Sequence, residues 1–495
     1  MTMTPLQPTS SAPPTLAEVV SLRPIAGDPT DWLAAPPRPP RAAGQPLLRT
    51  PQSIEECGLS QVFLVELVAK TMFQRGTSRL TELGQQLCLS GGVVEALCKF
   101  MRQEGLIEIG RRGTNDADVE FDLTIAGRLR ASEWLARNQY VGPAPVPLDV
   151  YCERVRAQSV HRQRITQPQV HEAFADLVMP AGLQDELGTA LNAGKPMLLY
   201  GEAGAGKTYV AEHLHRLLPG TVAIPHAIYV HGEVVRVFDP HWHTPVQPPA
   251  GAPLSGIDNR ARADARWVMC KRPRVSAGGE LTLEMLDLSF DARAGFYEAP
   301  LHFKANNGLF IVDDLGRQIV KPGELMNRWI VPMKHRFDHL MLRNGGKFEI
   351  PFDLVLVFLS DLHPSELEDA AFLRRLGQKI RVGELSPGDY LTLLDRACER
   401  AGMPCDAAAA QWLVGDLHAR EGKPLLACYP NDLVQLIASR AAYFEIAPAL
   451  LPELVEWAWH CQFNDAESAN GPRMRVAPRD ECPAHLSHTP PENAL

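Results

Sequence analysis

The chain has 495 residues, 45% of them hydrophobic and 22% charged, with a formal net charge of −9. This is ordinary globular composition for two or three domains, and the acidic balance argues against a generic attraction to nucleic acid or anionic membrane. The ten cysteines include no Cys-x-x-Cys pair, which speaks against a zinc site or disulfide framework and fits reduced thiols. No run reaches the roughly 18 apolar residues of a membrane span. No basic and apolar leader opens the chain, so a cytoplasmic protein is expected.

Residues 1–50 are rich in Pro, Ala, Ser and Thr and bury too little apolar surface to offset the entropy of ordering. A disordered tail is expected there and again over 466–495, where His485, His488 and Cys482 face solvent rather than a metal. Between them the pattern changes. Val62, Phe63, Leu67 and Val68 mark one helix, Thr81 to Leu87 a second, and Val93, Val94, Leu97, Phe100 and Met101 a third. Leu106 to Ile109 and Val119 to Leu123 read as strands around a polar loop. Residues 51–140 thus predict a winged helix-turn-helix. Its ten Lys and Arg stand against twelve Asp and Glu, and duplex binding needs a basic footprint. Only Arg111 and Arg112, at the wing, suit phosphate. DNA is disfavoured as a partner, and docking to protein or gating a ring is preferred. The Pro-rich run Gly142 to Pro147 opens a stiff linker over 141–168.

Residues 169–384 alternate strands and helices as an α/β sheet requires. Met197 to Tyr200 is a buried strand, and Val210, Leu214 and Leu217 follow at helical spacing. Between them runs Gly201-Glu202-Ala203-Gly204-Ala205-Gly206-Lys207-Thr208. Its glycines let backbone N–H groups turn inward as an anion nest at a helix N-terminus. Lys207 is placed for β- and γ-phosphates and Thr208 for Mg²⁺. Gly308 to Val312 is a second buried strand, ending in Asp313 and Asp314 where ligands collect in open α/β sheets. Asp313 is assigned to Mg²⁺ and Asp314 to the attacking water. A third strand, Leu354 to Leu359, ends in Ser360 and Asp361. Arg374 and Arg375 then precede the edge strand Lys379 to Val382. They suit a finger offered to a neighbouring subunit's nucleotide, which neutralises charge on the transferred phosphoryl group.

The 106 residues from Lys207 to Asp313 leave room for an insertion. Its stretch 258–274 carries Arg260, Arg262, Arg266, Lys271, Arg272 and Arg274 against Asp258 and Asp264, and is expected either to face a pore substrate, nucleic acid or acidic partner, or to be solvated. His241-Trp242-His243 has alternate histidines but no evident third ligand, so a metal is not expected there. Residues 385–465 read as helices Tyr390 to Arg400, Ala407 to Arg420, Pro430 to Phe444 and Pro452 to Cys461, a helical lid.

Phosphate loop, Asp-Asp strand end, polar strand tip, Arg-Arg and helical lid, in that order, resemble an AAA+ ATPase. More narrowly, residues 51–465 resemble the bacterial family of predicted ATPases with chaperone activity associated with Flp (Tad-type) pilus assembly. The distinctive stretches are Asn138 to Pro147, Gly279 to Leu288, and Asn327-Arg328-Trp329-Ile330-Val331-Pro332. The resemblance implies ATP as substrate with Mg²⁺, a self-assembled ring that is commonly hexameric, and a protein client in the pilus assembly machinery. Two positions depart from that family. Ser360-Asp361 stands where Thr-Asn is common, and an ionised Asp accepts hydrogen bonds and repels phosphate where an Asn amide donates. Pro430-Asn431-Asp432-Leu433 replaces Pro-Arg-Asp-Leu, removing a lid cation. Strong ATP binding with slow hydrolysis, or hydrolysis that needs partner subunits, is expected. An ATP-dependent remodeller is the leading expectation. An ATP-dependent transcription regulator and a non-hydrolysing assembly factor are its rivals.

Overall fold

The computed structural model describes residues 48–112, 119–246, 263–367 and 370–463. Residues 1–47 of the first expected tail, all of the second with its His and Cys residues, and Arg260 and Arg262 lie outside them. The N-terminal module opens with α1 (Gln61–Arg75), capped by the Ser60 hydroxyl, which accepts from Phe63 N. It continues through β1 (Ser78–Arg79), α2 (Leu80–Leu87), α3 (Gly91–Gln103), β2 (Ile107–Arg112), β3 (Val119–Leu123) and α4 (Ile125–Arg137). The three strands form an antiparallel sheet in the order β1-β3-β2. Leu64, Leu67, Val68, Leu87, Val94 and Met101 fill one core beneath it. This is the expected winged helix, with α4 added. Helix α4 buries only Gly127 and Ala131 while Ile125 and Leu129 stay exposed, so it carries no apolar stripe that periodicity would reveal. Gly127 is needed for close approach, since a Cβ there would lie 2.0 Å from the Leu106 carbonyl oxygen.

Residues 141–168, expected as a linker, are built into the core. Strand β4 (Val146–Pro147) is followed by α5 (Leu148–Ala157). The Gln158 amide then donates to the Ala223 carbonyl and to Asn307 Oδ1. Helices α6 (Gln167–Ala173) and α7 (Leu183–Ala193) lead to β5 (Met197–Tyr200) and α8 (Lys207–His213). The insertion supplies β6 (Thr221–Pro225), β7 (Ala227–Val230), β8 (Glu233–Arg236) and β9 (Trp267–Lys271), followed by β10 (Arg274–Ala277), β11 (Ser289–Asp291) and β12 (Phe296–Glu298). After α9 (Leu301–Lys304) come β13 (Leu309–Val312), α10 (Pro322–His335), the hairpin β14 (Phe337–Met341) and β15 (Lys347–Pro351), β16 (Val355–Ser360), α11 (Ala370–Leu373) and β17 (Gln378–Arg381).

The central sheet runs β10-β13-β16-β5-β17, every pair parallel. Strands β13 and β16 are buried along their whole length, as a sheet covered on both faces demands. A second sheet, β11-β12-β8-β7-β4, grows from the insertion and carries the winged helix: Phe63 packs on Tyr229 with ring centroids 4.5 Å apart. Arg266 reinforces the joint, pairing with Asp264 and donating to the Cys57 carbonyl. Of the four described cations of the basic stretch, Lys271 and Arg274 are exposed, while the other two depart from the expected exposed face. Arg266 and Arg272 are both buried, and Arg272 donates to the carbonyls of Pro219, Gln158 and Asn307. Sequence spacing says nothing of this, because the burying partners Cys57, Pro219, Gln158 and Asn307 come from distant chain segments. His243 is likewise a buried structural residue, accepting from Asp239 N at Nδ1 while Nε2 lies 2.8 Å from the Lys304 carbonyl.

The lid comprises α12 (Pro387–Arg400), α13 (Ala407–Trp412), α14 (His418–Glu421), α15 (Tyr429–Tyr443) and α16 (Pro452–Phe463). A π-helical turn, Leu413–Leu417, joins α13 to α14. Its separate core gathers Tyr390, Leu394, Leu433, Ile437 and Trp459. The whole is an α/β core around a parallel five-stranded sheet, with the winged-helix module before it and the helical lid after it.

Candidate active site

Strands β13, β16 and β5 are adjacent and parallel, so their C-terminal ends open on one edge of the sheet. The order of connection reverses around β5, the position where open α/β sheets form a ligand crevice. The loop after β5 turns through three left-handed glycines: Gly201 at φ 152°, Gly204 at φ 89° and Gly206 at φ 93°. A Cβ on Gly201 would lie 2.2 Å from the Val382 carbonyl oxygen, and one on Gly204 would lie 2.4 Å from Cys428 Sγ. Only glycine fits there. The loop is thereby pinched between the last core strand and the lid, and Cys428 N donates to the Gly204 carbonyl. Within it, Ala203 and Glu202 are exposed and Ala205 is buried.

Lys207 is 7% exposed, and its ammonium donates to three oxygens. Two are the carbonyls of Gly201 and Glu202, each at 2.9 Å, and the third is Asp361 Oδ1 at 2.7 Å. Asp361 is shared, because Arg317 Nη2 lies 2.7 Å from its other oxygen. A chain of charges thus runs Lys207–Asp361–Arg317 across the crevice. Arg317 was not foreseen from sequence; the only signal was a cation four residues past Asp313 in a turn opened by Asp314.

Thr208 Oγ1 donates to Asp313 Oδ2 at 2.8 Å, so hydroxyl and carboxylate converge from the ends of different elements. Such hard oxygen donors suit a magnesium ion that keeps several waters. Asp313 is held in place twice over. Its Oδ1 accepts from Asp314 N at 2.8 Å, and its carbonyl accepts from Gln318 Nε2 at 2.7 Å. Asp314 is exposed and adopts the left-handed region at φ 53°, a conformation that aspartate tolerates better than most residues. Its side chain is exposed in the turn that follows β13.

Arg374 and Arg375 are not part of this cluster. They line a cavity together with Met197 and Val355, the first residues of β5 and β16. Four residues of β5 separate the two ends, about 13 Å at strand rise, so neither arginine reaches its own phosphate loop. Asn431 sits half-buried in the first turn of α15. Beside it, burial pushes the Asp432 carboxyl up from its ordinary value, against a hydrogen bond involving Cys428 that lowers it.

A family model described as a domain of unknown function (DUF8689) matches residues 386–461, which is the lid. No curated protein gives a significant match. Among solved structures, NtrX from Brucella abortus is 14% identical with a TM-score of 0.37, covering 56% of this chain and 54% of that one. The Holliday junction branch migration motor RuvB from Thermotoga maritima is 12% identical with a TM-score of 0.34, covering 58% and 70%. A MarR family regulator from Neisseria meningitidis is 22% identical with a TM-score of 0.14, over 16% of this chain and 55% of that one. The chain spans about half the length of NtrX. Likeness this distant carries no statement about activity. Among the described residues, no helix is long and apolar enough to cross a membrane.

Proposed function

We propose that this protein is an ATP-binding motor subunit that hydrolyses ATP slowly and uses the cycle to remodel a protein client. The observation that carries the reading is the convergence of Lys207, Thr208, Asp313 and Asp361 at one edge of three adjacent parallel strands. Main-chain N–H groups of Gly204 to Thr208 cradle the polyphosphate, and Lys207 exchanges Asp361 for the β- and γ-phosphates. Thr208 and Asp313 hold Mg²⁺, which supplies charge neutralisation at the phosphates. Asp314 orients or deprotonates the attacking water. Arg374 or Arg375 acts on the nucleotide of a neighbouring ring subunit, in keeping with their distance from their own phosphate loop. A hexamer is the ring size the family resemblance favours, and the same resemblance points to a client in pilus assembly.

The Lys207–Asp361 pair supports slow turnover. An anion already occupies the position from which a γ-phosphate would be sensed, and an ionised Asp cannot donate to it. Asn431 supplies no cation from the lid. A non-hydrolysing ATP-dependent assembly factor is the second reading that this pair favours. Steady-state turnover by the purified protein separates the two: phosphate release abolished by Asp314→Asn supports the motor, and no release from the wild type supports the factor. The regulator reading finds less support. The exposed face of α3 and its C-cap mix Glu95 and Glu104 with Lys99 and Arg102, and a salt-dependent gel shift with nanomolar duplex affinity would be needed to restore it.

A further inference from the structure

Asp361 stands between two cations, of which Lys207 belongs to the phosphate loop and Arg317 does not. Lys207 Nζ lies 2.7 Å from Asp361 Oδ1, and Arg317 Nη2 lies 2.7 Å from Asp361 Oδ2. One carboxylate cancels one ammonium, so the Lys207–Asp361 pair by itself offers a phosphate no net charge. Arg317 restores one positive charge to the group. Its side chain is 63% exposed, whereas those of Lys207 and Asp361 are 7% and 17% exposed. An ion pair with so exposed a cation contributes little to folding stability, so stability does not account for the arrangement.

The turn that carries Arg317 is fixed along its backbone. Leu315 N donates to the Leu359 carbonyl at 2.7 Å, and Arg317 N donates to the Asp314 carbonyl at 2.9 Å. Ser360 Oγ donates to the Leu315 carbonyl at 2.8 Å. Gln318 closes the far side, accepting from Gly316 N while it donates to the Asp313 carbonyl. Ser360 therefore holds the backbone of the turn, and Asp361 holds the end of its arginine. The main chain is tied to the tips of β13 and β16, and a long, exposed side chain is left to move.

We propose that Arg317 binds the γ-phosphate of ATP from within its own subunit, exchanging Asp361 for a phosphate oxygen as Lys207 does. A guanidinium fork matches phosphate as well as it matches carboxylate, so the exchange needs side-chain rotation and no movement of the turn. Holding the guanidinium beside Lys207 beforehand reduces the side-chain entropy lost on binding. Arg317 then supplies the cation that Asn431 does not supply from the lid. Its place differs from that of Arg374 and Arg375, which lie toward the opposite end of β5. ADP lacks the phosphate in question, so Arg317 distinguishes the two nucleotides. The proposal rests on the reading of this crevice as an ATP site.

Calorimetry with ATP and with ADP, each with magnesium, tests it on the full-length chain. Arg317→Ala is expected to weaken ATP at least about tenfold and to leave ADP within about twofold, with an unchanged melting temperature. Arg317→Lys, which keeps the charge and loses the fork, is expected to recover part of the ATP affinity. A double-mutant cycle with Asp361→Asn separates direct contact from charge balance. If Arg317 touches phosphate, Arg317→Ala still weakens ATP severalfold when residue 361 is Asn. If Arg317 only neutralises Asp361, it then costs nothing, and the proposal is overturned. Equal weakening of ATP and ADP by Arg317→Ala would overturn it as well. Failure of the underlying reading looks different: the wild type then binds neither nucleotide, and the proposal falls with it.

Discussion

Replacing Asp361 by Asn should tighten ATP binding, although it removes an ion pair. Asp361 Oδ1 lies 2.7 Å from Lys207 Nζ. A phosphate oxygen accepting from the same ammonium would sit about 2.8 Å from it. Even on opposite sides of Nζ, the two anionic oxygens would be at most about 5.5 Å apart. With Asp361 17% exposed, an effective dielectric of about 20–40 applies, and the repulsion is roughly 1.5–3 kcal/mol. Asn keeps the shape, removes that repulsion and frees Lys207 for the phosphates. The expected result is ATP affinity at least about tenfold tighter, with a smaller gain for ADP, which lacks the γ-phosphate. Calorimetry at fixed ionic strength measures both, and turnover should rise as the amide gains a donor toward the γ-phosphate. Unchanged or weaker ATP affinity would mean that Asp361 swings clear on binding, and the electrostatic reasoning would be refuted.

Asp314→Asn should leave ATP affinity within about twofold and lower phosphate release by at least about a hundredfold, since Asn also tolerates φ 53°; an active variant would remove Asp314 from the chemistry. Gly204→Ala forces a Cβ to 2.4 Å from Cys428 Sγ in a left-handed turn, so about 1–3 kcal/mol of stability and most nucleotide binding should be lost. Adding Cys428→Ala should recover part of both, and no recovery would place the damage elsewhere than the lid contact. Asp338 gives a pH test. Burial alone would raise its carboxyl, but hydrogen bonds and charges from His302 and Arg328 overcome that and hold it at about 2, with the side chain 3% exposed. A depressed carboxylate stabilises the fold above its unfolded value of about 3.9, and the benefit is lost as pH falls toward 2. Denaturant melts between pH 5 and pH 2 should cost the wild type roughly 2 kcal/mol more than Asp338→Asn; parallel curves would contradict the assignment.

Much of the core was legible because its signals are local. The run from Gly201 to Thr208 dictates a turn that only glycine allows, and the apolar strands ending at Asp313 and Asp361 need burial on both faces. The lid helices followed from periodicity alone, apart from the π turn at Leu413–Leu417. What escaped depends on distant partners. The apparent linker became β4 and α5 because Val146 and Pro147 pair with Ile228 and Tyr229. Arg266 and Arg272 looked like surface charge until Asp264, Cys57 and Asn307 surrounded them. Helix α4 hid because Ile125 and Leu129 are exposed among Arg128, Arg130 and Glu133, while its buried residues are the small Gly127 and Ala131. The ties from Arg317 to Asp361 and from Cys428 to Gly204 join segments more than forty residues apart, beyond the reach of any spacing rule.

The central claim is that Lys207 and its loop hold a nucleoside triphosphate. Calorimetric titration of magnesium-loaded wild-type protein with ATP should give a saturable exotherm that vanishes in Lys207→Ala, while both proteins keep the same melting temperature without ligand. An identical isotherm for the two, or no heat from the wild type, would contradict the account.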